Sequence, residues 1–231
     1  MKYDKTVSGS FISRPNRFIA KVEIDGKEET VHVKNTGRCK ELLVPGCKVY
    51  LSAADNPDRK TKYDLIAAEK LRDGLPPLLI NMDSQIPNDA AEEWLKSGSL
   101  FSKNAKIRRE VKYGDSRFDF YIEDRGNKIF LEVKGVTLEH NGVAMFPDAP
   151  TERGVKHINE LASCLKEGYK AYILFVIQMK DIKFFCPHDK MHKAFGDALR
   201  QAYSAGVSII ATDCIVTENS IEIDSFVDVI L

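Results

Sequence analysis

The sequence predicts an α/β protein in two parts: a small β-barrel over residues 1–83 and an α/β domain with a mixed central sheet over residues 84–231. Three observations predict it. Short strands and turn signals fill the first third of the chain. From about Asp83 onward, strands alternate with longer amphipathic helices. The run AYILFVI, Ala171 to Ile177, is apolar throughout, as expected of a strand covered on both faces.

In the first part, FIAKVEI (Phe18 to Ile24), the turn pair Asp25-Gly26 and TVHV (Thr30 to Val33) form a β-hairpin. Further strands are expected at Lys48 to Ser52 and Tyr63 to Leu71. Pro45-Gly46 and the polar cluster DNPDRK, Asp55 to Lys60, punctuate them. So many strands in under a hundred residues suggest a small barrel, of which the OB type is a common nucleic-acid-binding version. The segment LRDGLPPLLI, Leu71 to Ile80, carries a glycine and a proline pair and reads as a linker between the two parts.

In the second part a short helix is expected over Asn88 to Ser97, with Trp94 on its apolar side. Strands follow at Lys106 to Tyr113, Arg117 to Glu123, Lys128 to Lys134 and Val143 to Phe146, with a turn at Asn141-Gly142. The helix Thr151 to Glu167 places Val155, Ile158, Leu161, Ala162 and Leu165 at helical spacing and stops at Gly168. A second helix, Asp189 to Ala205, stops at Gly206 and leads into VSIIATDC. Strand, helix, strand of this length implies a parallel crossover.

Composition narrows the function classes. The 34 basic and 34 acidic residues cancel, so any nucleic-acid binding must use local patches. Five scattered cysteines without a CxxC pair argue against a disulfide framework and for a reducing compartment. The amino terminus has no signal-peptide core, and no apolar run is long enough to span a bilayer, which suggests a cytoplasmic protein without a membrane partner.

The stretch SRFDFYIEDRGNKIFLEVKG, Ser116 to Gly135, puts charges inside runs that otherwise read as buried strands. Alternation sets Asp119 on the face opposite Phe118 and Phe120, and Glu132 and Lys134, two apart, share a face. A hairpin turning at Asp124 to Asn127 brings Asp119 beside Glu132. Two opposed carboxylates repel unless a cation lies between them, and Mg²⁺ favours one or two carboxylates plus waters and a substrate phosphate. Lys134 then orients or deprotonates an attacking water or stabilises phosphate charge. The plain alternative is a solvated sheet face with a cross-strand ion pair.

Two longer runs decide the weight given to this triplet. LEVKGVTLEHNGVAMFPDAPTERGVKHINEL and the earlier RFIAKVEIDGKEETVHVKNTGRCKELLVPG, with the late HKAFGDALRQAYSAGV, resemble the sugar fermentation stimulation protein (SfsA) family over nearly the whole chain. The resemblance implies an OB-like barrel fused to a domain similar to the PD-(D/E)XK nuclease superfamily, and a DNA-binding protein linked to sugar metabolism. In the superfamily pattern the aspartate falls on Asp119 and the E-x-K on Glu132 and Lys134. The literal Pro-Asp is absent, because Phe118 precedes Asp119. Glu110 is the nearest candidate for the upstream helical acid of that pattern, although its surroundings read as a strand.

Other residues join this reading. Arg153, Lys156, His157 and Glu160 form one helical stripe, and the first three could hold a phosphate at the metal site; an exposed face with a Lys156–Glu160 pair is the alternative. Asp148, before the helix, is expected to cap it. In the first part, His32, Asn35, Thr36, Gly37 and Arg38 form a polar loop suited to phosphate or base contact, or simply a tight turn. Arg14 and Arg17 flanking Phe18 make a cation-plus-aromatic signature for single strands, with Phe18 as a core residue the alternative. Lys103 to Arg117 carries six basic residues against two acidic, with Arg108 and Arg109 as candidate DNA contacts; an ordinary solvated strand edge is the alternative. Cys186, His188 and His192 lack a fourth zinc ligand.

Two classes of function therefore stand: a DNA-binding protein with a Mg²⁺- or Mn²⁺-dependent phosphodiesterase site, or a non-catalytic DNA-binding regulator on a nuclease-like scaffold. The DNA could be single- or double-stranded, and RNA is the competing ligand.

Overall fold

A computed structural model describes every residue of the chain except Thr36, Asp55 and Pro57, so the expectations placed on Thr36 and on the Asp55 end of the DNPDRK cluster lie outside the described residues. The first part contains β1 (Thr6–Asn16), β2 (Ile19–Ile24), β3 (Lys27–Val33), β4 (Lys48–Ala53), β5 (Tyr63–Arg72) and β6 (Leu75–Asn81). They pair in the order β3-β2-β1-β4-β5-β6, and a short parallel pairing of β3 with β5, His32 to Asp64 and Val33 to Leu65, closes five of them into a barrel. This is the OB arrangement. Alternation makes it possible: Ala20, Val22 and Ile24 of β2 and Val31 and Val33 of β3 point inward and are buried. Asp25 and Gly26 both have positive φ, 50° and 75°, which suits the twist of a two-residue hairpin turn.

The segment expected to be a linker is instead a hairpin. Leu71 and Arg72 end β5, and Leu75 to Asn81 is β6, an edge strand paired only with β5 within the sheet. Pro76 and Pro77 are exposed there, where a missing N–H leaves no ladder bond unmade.

The second part begins with α1 (Ile86–Lys96), then β7 (Lys106–Tyr113), β8 (Ser116–Asp124), β9 (Asn127–Val136), β10 (Leu138–His140) and β11 (Val143–Phe146). After α2 (Glu152–Cys164) and a single 3-10 turn come β12 (Lys170–Ile177), β13 (Phe184–Pro187), α3 (Asp189–Ala205), β14 (Ser208–Thr217) and β15 (Ser220–Val229). The nine strands run β10-β11-β13-β15-β14-β12-β9-β8-β7, with β12 parallel to both β9 and β14, so the sheet is mixed. Gly168 and Gly206, at φ 85° and 108°, end the helical segments in the left-handed conformation that glycine adopts without strain. Asp148 does not cap α2. Thr151 does, its Oγ1 accepting from the Gly154 N–H at 3.0 Å.

One core lies between α1 and the sheet, around Trp94, Phe120, Leu131 and Val133. The other lies under α2 and α3, around Phe118, Phe130, Ile158, Phe175 and Phe195, and is continuous with the barrel interior. The two parts are joined by buried polar bonds. Gln178 Nε2 donates to Asn81 Oδ1 at 3.1 Å and to the Asp83 carbonyl at 3.0 Å, and Lys70 Nζ reaches Glu139 Oε2 at 2.7 Å. All five cysteines are free thiols, four of them buried. No helix among the described residues is long and apolar enough to cross a membrane.

Candidate functional site

The site is built on an interruption in the sheet. Between β7 and β8, Arg109 pairs with Phe120 and Val111 with Phe118, but Glu110 and Asp119 between them form no bridge. Glu110 is held at φ 56°, left-handed for a non-glycine residue. Side-chain direction changes there. Phe118 packs into the core under α2 while Phe120 packs into the core under α1, so the two aromatics do not share a face as simple alternation predicts. The ladder between β8 and β9 also stops, its last pair being Phe120 and Leu131.

Asp119 fills the break with its side chain. Its Oδ2 accepts from the Val133 N–H at 2.7 Å, and its Oδ1 accepts from Asn88 Nδ2 of α1 at 2.8 Å. Burial and, next, the charge of Glu132 push the Asp119 carboxyl up to about 6, against the opposing pull of these hydrogen bonds and of Lys134. The two carboxylates line the same cleft, and the charge of Glu132 disfavours ionisation of Asp119.

Glu132 is 4% exposed. Lys134 Nζ and His157 Nδ1 both meet its Oε1 at 2.6 Å, while its Oε2 is buried without a partner among the described residues. Burial alone would raise this carboxyl; the hydrogen bond from His157 and the charge of Lys134 outweigh it and hold the group below its ordinary value. Asp119 and Glu132 thus differ: one is poised near neutrality, the other stays ionised. An open cleft of about 520 Å³ gives access to both, edged by Arg117 and Ser116 of β8, Glu110 of β7, and Arg153, Lys156 and His157 of α2. Among the described residues no group of three His, Cys, Asp or Glu side chains is arranged to hold a metal, so the carboxylates stand as a pair.

Not every expected residue gathers here. Arg109 is paired with Asp89 and Glu92 of α1 at 2.7 and 3.1 Å, and Arg108 lies over Tyr121 and pairs with Glu123, so these two arginines serve the sheet edge and α1. On the barrel, Arg14 donates to the carbonyls of Arg17, Asn35, Gly37 and Arg38 and holds their loop together. Asn35 accepts from the Gly37 N–H and donates to the Met82 carbonyl, a turn-closing role. His32 meets Asp64 at 2.9 Å, beside Arg59. Arg17 and Arg38 line a separate open cleft of about 510 Å³ with Lys40, and Phe18 nearby in sequence is 51% exposed. Glu110 reaches the cleft from a strand, not a helix, and pairs with Arg117 at 3.4 Å. Lys156 faces solvent with a 3.8 Å contact to Glu160. His188 and His192 bond the Pro147 carbonyl and Glu152, and among the described residues they form no three-ligand cluster with Cys186. Asp148 instead packs beside Gly37, where any β-carbon would meet its Oδ2 at 2.3 Å.

The sequence offered no sign of two further participants, Asn88 and Ser116. Asn88 sits in the first turn of an ordinary amphipathic helix, and its bond to Asp119 spans two elements. Ser116, whose buried Oγ has no partner, looks in sequence like any hairpin residue.

Barrel and site together define an OB-type domain joined to an α/β domain of the PD-(D/E)XK nuclease-like class. Family comparison makes the assignment specific: the model described as SfsA N-terminal OB domain matches residues 12–74, and that described as Sugar fermentation stimulation protein RE domain matches residues 85–220. The chain belongs to the sugar fermentation stimulation protein family. It is 57% identical to the homolog from Clostridium beijerinckii over 100% of both chains, and 60% identical to that from Desulfitobacterium hafniense strain Y51 over 99% of this chain and 98% of the other. The solved structure of Pyrococcus furiosus SfsA in complex with Ca²⁺ is similar, with a TM-score of 0.89 and 29% identity over 100% of this chain and 98% of that one.

Proposed function

We propose that the protein binds nucleic acid and hydrolyses a phosphodiester bond at Asp119 and Glu132 with a divalent cation, Mg²⁺ or Mn²⁺. The observation that carries this reading is the buried, unpartnered Oε2 of Glu132 beside a second carboxylate. A buried lone carboxylate oxygen is costly, and a hard cation with oxygen preference removes that cost and the repulsion together. The donor set fits such an ion: two carboxylates, with room in the cleft for waters and a phosphate oxygen. A relative of the same fold was solved with Ca²⁺, another hard cation.

When bound, the ion supplies Lewis-acid stabilisation of the phosphoryl and leaving oxygens. Asp119 and Glu132 hold it. Lys156 and Arg117, at the cleft edge, bind the flanking phosphate, and Lys134, beside Glu132, orients the attacking water or offsets charge on the phosphate. Water attacks phosphorus in line and one ester P–O bond breaks. On the barrel, Arg17, Arg38 and Lys40 with exposed Phe18 provide charge and a stacking surface for a strand.

The test is incubation of purified protein with single- and double-stranded DNA and with RNA, with Mg²⁺ or Mn²⁺. Cleavage by wild type that falls about a hundredfold or more in Glu132→Ala is expected, since the lost stabilisation is several kcal/mol. Nucleic acid left equally intact by both proteins would sink the hydrolytic reading.

A further inference from the structure

His157 was expected to face a phosphate. Its geometry says otherwise: the ring is 7% exposed, sits edge-on to Phe118 at 6.4 Å, and spans Glu132 and Arg153. Arg153 Nε approaches His157 Nε2 at 3.3 Å, and an arginine nitrogen can only donate. Nε2 is then the acceptor. The ring proton lies on Nδ1 and is donated to Glu132 Oε1 at 2.6 Å.

The same Oε1 also takes Lys134 Nζ at 2.6 Å, and Oε2 is left alone. One carboxylate oxygen is thus held twice while the other is held by nothing. If Lys134 alone oriented Glu132, its departure toward a substrate would release the carboxylate to rotate. With His157 in place it does not.

We infer that His157 is a positioning residue that fixes which oxygen Glu132 presents to the cleft, that Arg153 sets its tautomer, and that this arrangement frees Lys134 to leave Glu132. The inference rests on the cation reading of the site, and it divides labour between two neighbours of one oxygen. His157 governs cation affinity and Lys134 governs turnover. Outer partners of this kind hold a ligand in the orientation an ion needs, and their loss typically costs about 10–100-fold in affinity.

The experiment measures Mn²⁺ binding to the full-length protein by calorimetry, alongside ¹⁵N NMR of the histidine rings in metal-free protein. His157→Asn places an amide donor near the Nδ1 position and should bind Mn²⁺ within a few-fold of wild type; His157→Gln, whose amide reaches the Nε2 position, should bind about 10–100-fold more weakly. Lys134→Met should keep wild-type affinity or exceed it while losing cleavage. The wild-type spectrum should show the proton on Nδ1 of His157, and the exposed substitution Arg153→Met, which leaves the buried core untouched, should relax that preference.

Equal Mn²⁺ affinity in wild type and His157→Gln, loss of affinity in Lys134→Met, or a wild-type proton on Nε2 would overturn the positioning role and leave the cation reading standing. Wild type that binds no Mn²⁺ would overturn both, and is told apart by that single titration.

Discussion

Asp119 Oδ2 accepts the Val133 backbone N–H at 2.7 Å, in the place where a main-chain carbonyl of β8 would otherwise continue the ladder with β9. A side chain thus completes the sheet at the point where the sheet opens. The carboxylate is fixed by main chain on one oxygen and by Asn88 on the other, so its position beside Glu132 follows from the fold. Rigid placement of two like charges is a stability cost that can be measured.

Asp119→Asn should stabilise the protein in chelator at pH 7.5. The Asp119 carboxyl is raised in the folded state from 3.8 to about 6, so its contribution is fully favourable below pH ~4 and is lost as pH rises through 6. Asparagine carries no charge and keeps an acceptor for Val133. The gain should be about 1–3 kcal/mol at pH 7.5, at roughly 1.4 kcal/mol per pKa unit. That corresponds to about 2–4 °C in Tm per kcal/mol for a chain of this size. Thermal denaturation at pH 4 and 7.5 checks it: the difference should vanish at the lower pH, and Mn²⁺ should raise wild type only.

Where local physics decided the structure, the sequence was readable. Asp25-Gly26 announces its hairpin because both positions need positive φ, and Gly168 and Gly206 announce helix ends for the same reason. Glu132 and Lys134 were found on one face because β9 keeps a regular period of two. The rest needed long-range information. Pro76 and Pro77 looked like a linker, since only the assembled barrel makes β6 an edge strand. β13, Phe184–Pro187, is only four residues long and runs into Cys186, His188 and His192, and only pairing with β11 and β15 defines it. The direction change at Asp119 depends on a ladder that stops. Arg14 read as a nucleic-acid contact until the fold brought the distant carbonyls of Asn35, Gly37 and Arg38, beside that of Arg17, to its guanidinium.

Lys70→Met should destabilise the joint between barrel and second domain. Glu139 is almost fully buried, and its carboxylate is held by Lys70 Nζ at 2.7 Å and by the Gly142 N–H. Burial would raise this carboxyl, but Lys70 and Gly142 outweigh it and keep the group below its ordinary value. The stability from this depression is present above the unfolded carboxylate pKa and is lost as pH falls. Removing only the lysine leaves a buried charge uncompensated, at about 3–5 kcal/mol. Chemical denaturation at pH 7 should show this loss, and adding Glu139→Gln should recover most of it.

Gly135→Ala should disturb the junction without touching a charged group. A β-carbon there would lie 2.6 Å from Gln178 Oε1 and 2.7 Å from Pro87 Cγ, and Gln178 is the residue that bonds Asn81 and Asp83 across the domains. Proline cannot yield and Gln178 can do so only by leaving its partners. Overpacking of this kind costs about 1–3 kcal/mol. A fall in denaturation midpoint is the expected outcome, and a midpoint equal to wild type would show that the junction adapts.

Lys156→Ala and Arg109→Ala should separate basic residues that meet phosphate from those that serve the fold. Lys156 edges the carboxylate cleft, is largely exposed, and has only a 3.8 Å contact to Glu160. Arg109 lies closer in sequence to Asp119 but is already paired with Asp89 and Glu92, so a phosphate would have to displace two carboxylates. A lysine that neutralises one phosphate releases about one counterion, so its loss should lower the slope of log K against log salt by ~0.7–0.9. Fluorescence anisotropy across a salt series with a labelled single-stranded DNA should therefore give a shallower slope for Lys156→Ala and an unchanged one for Arg109→Ala. Weakening should also be uniform across DNA sequences, because a phosphate contact carries no base information. The reverse pattern, with Arg109 setting the slope and Lys156 silent, would move the bound strand from the α2 side of the cleft to the β7 edge.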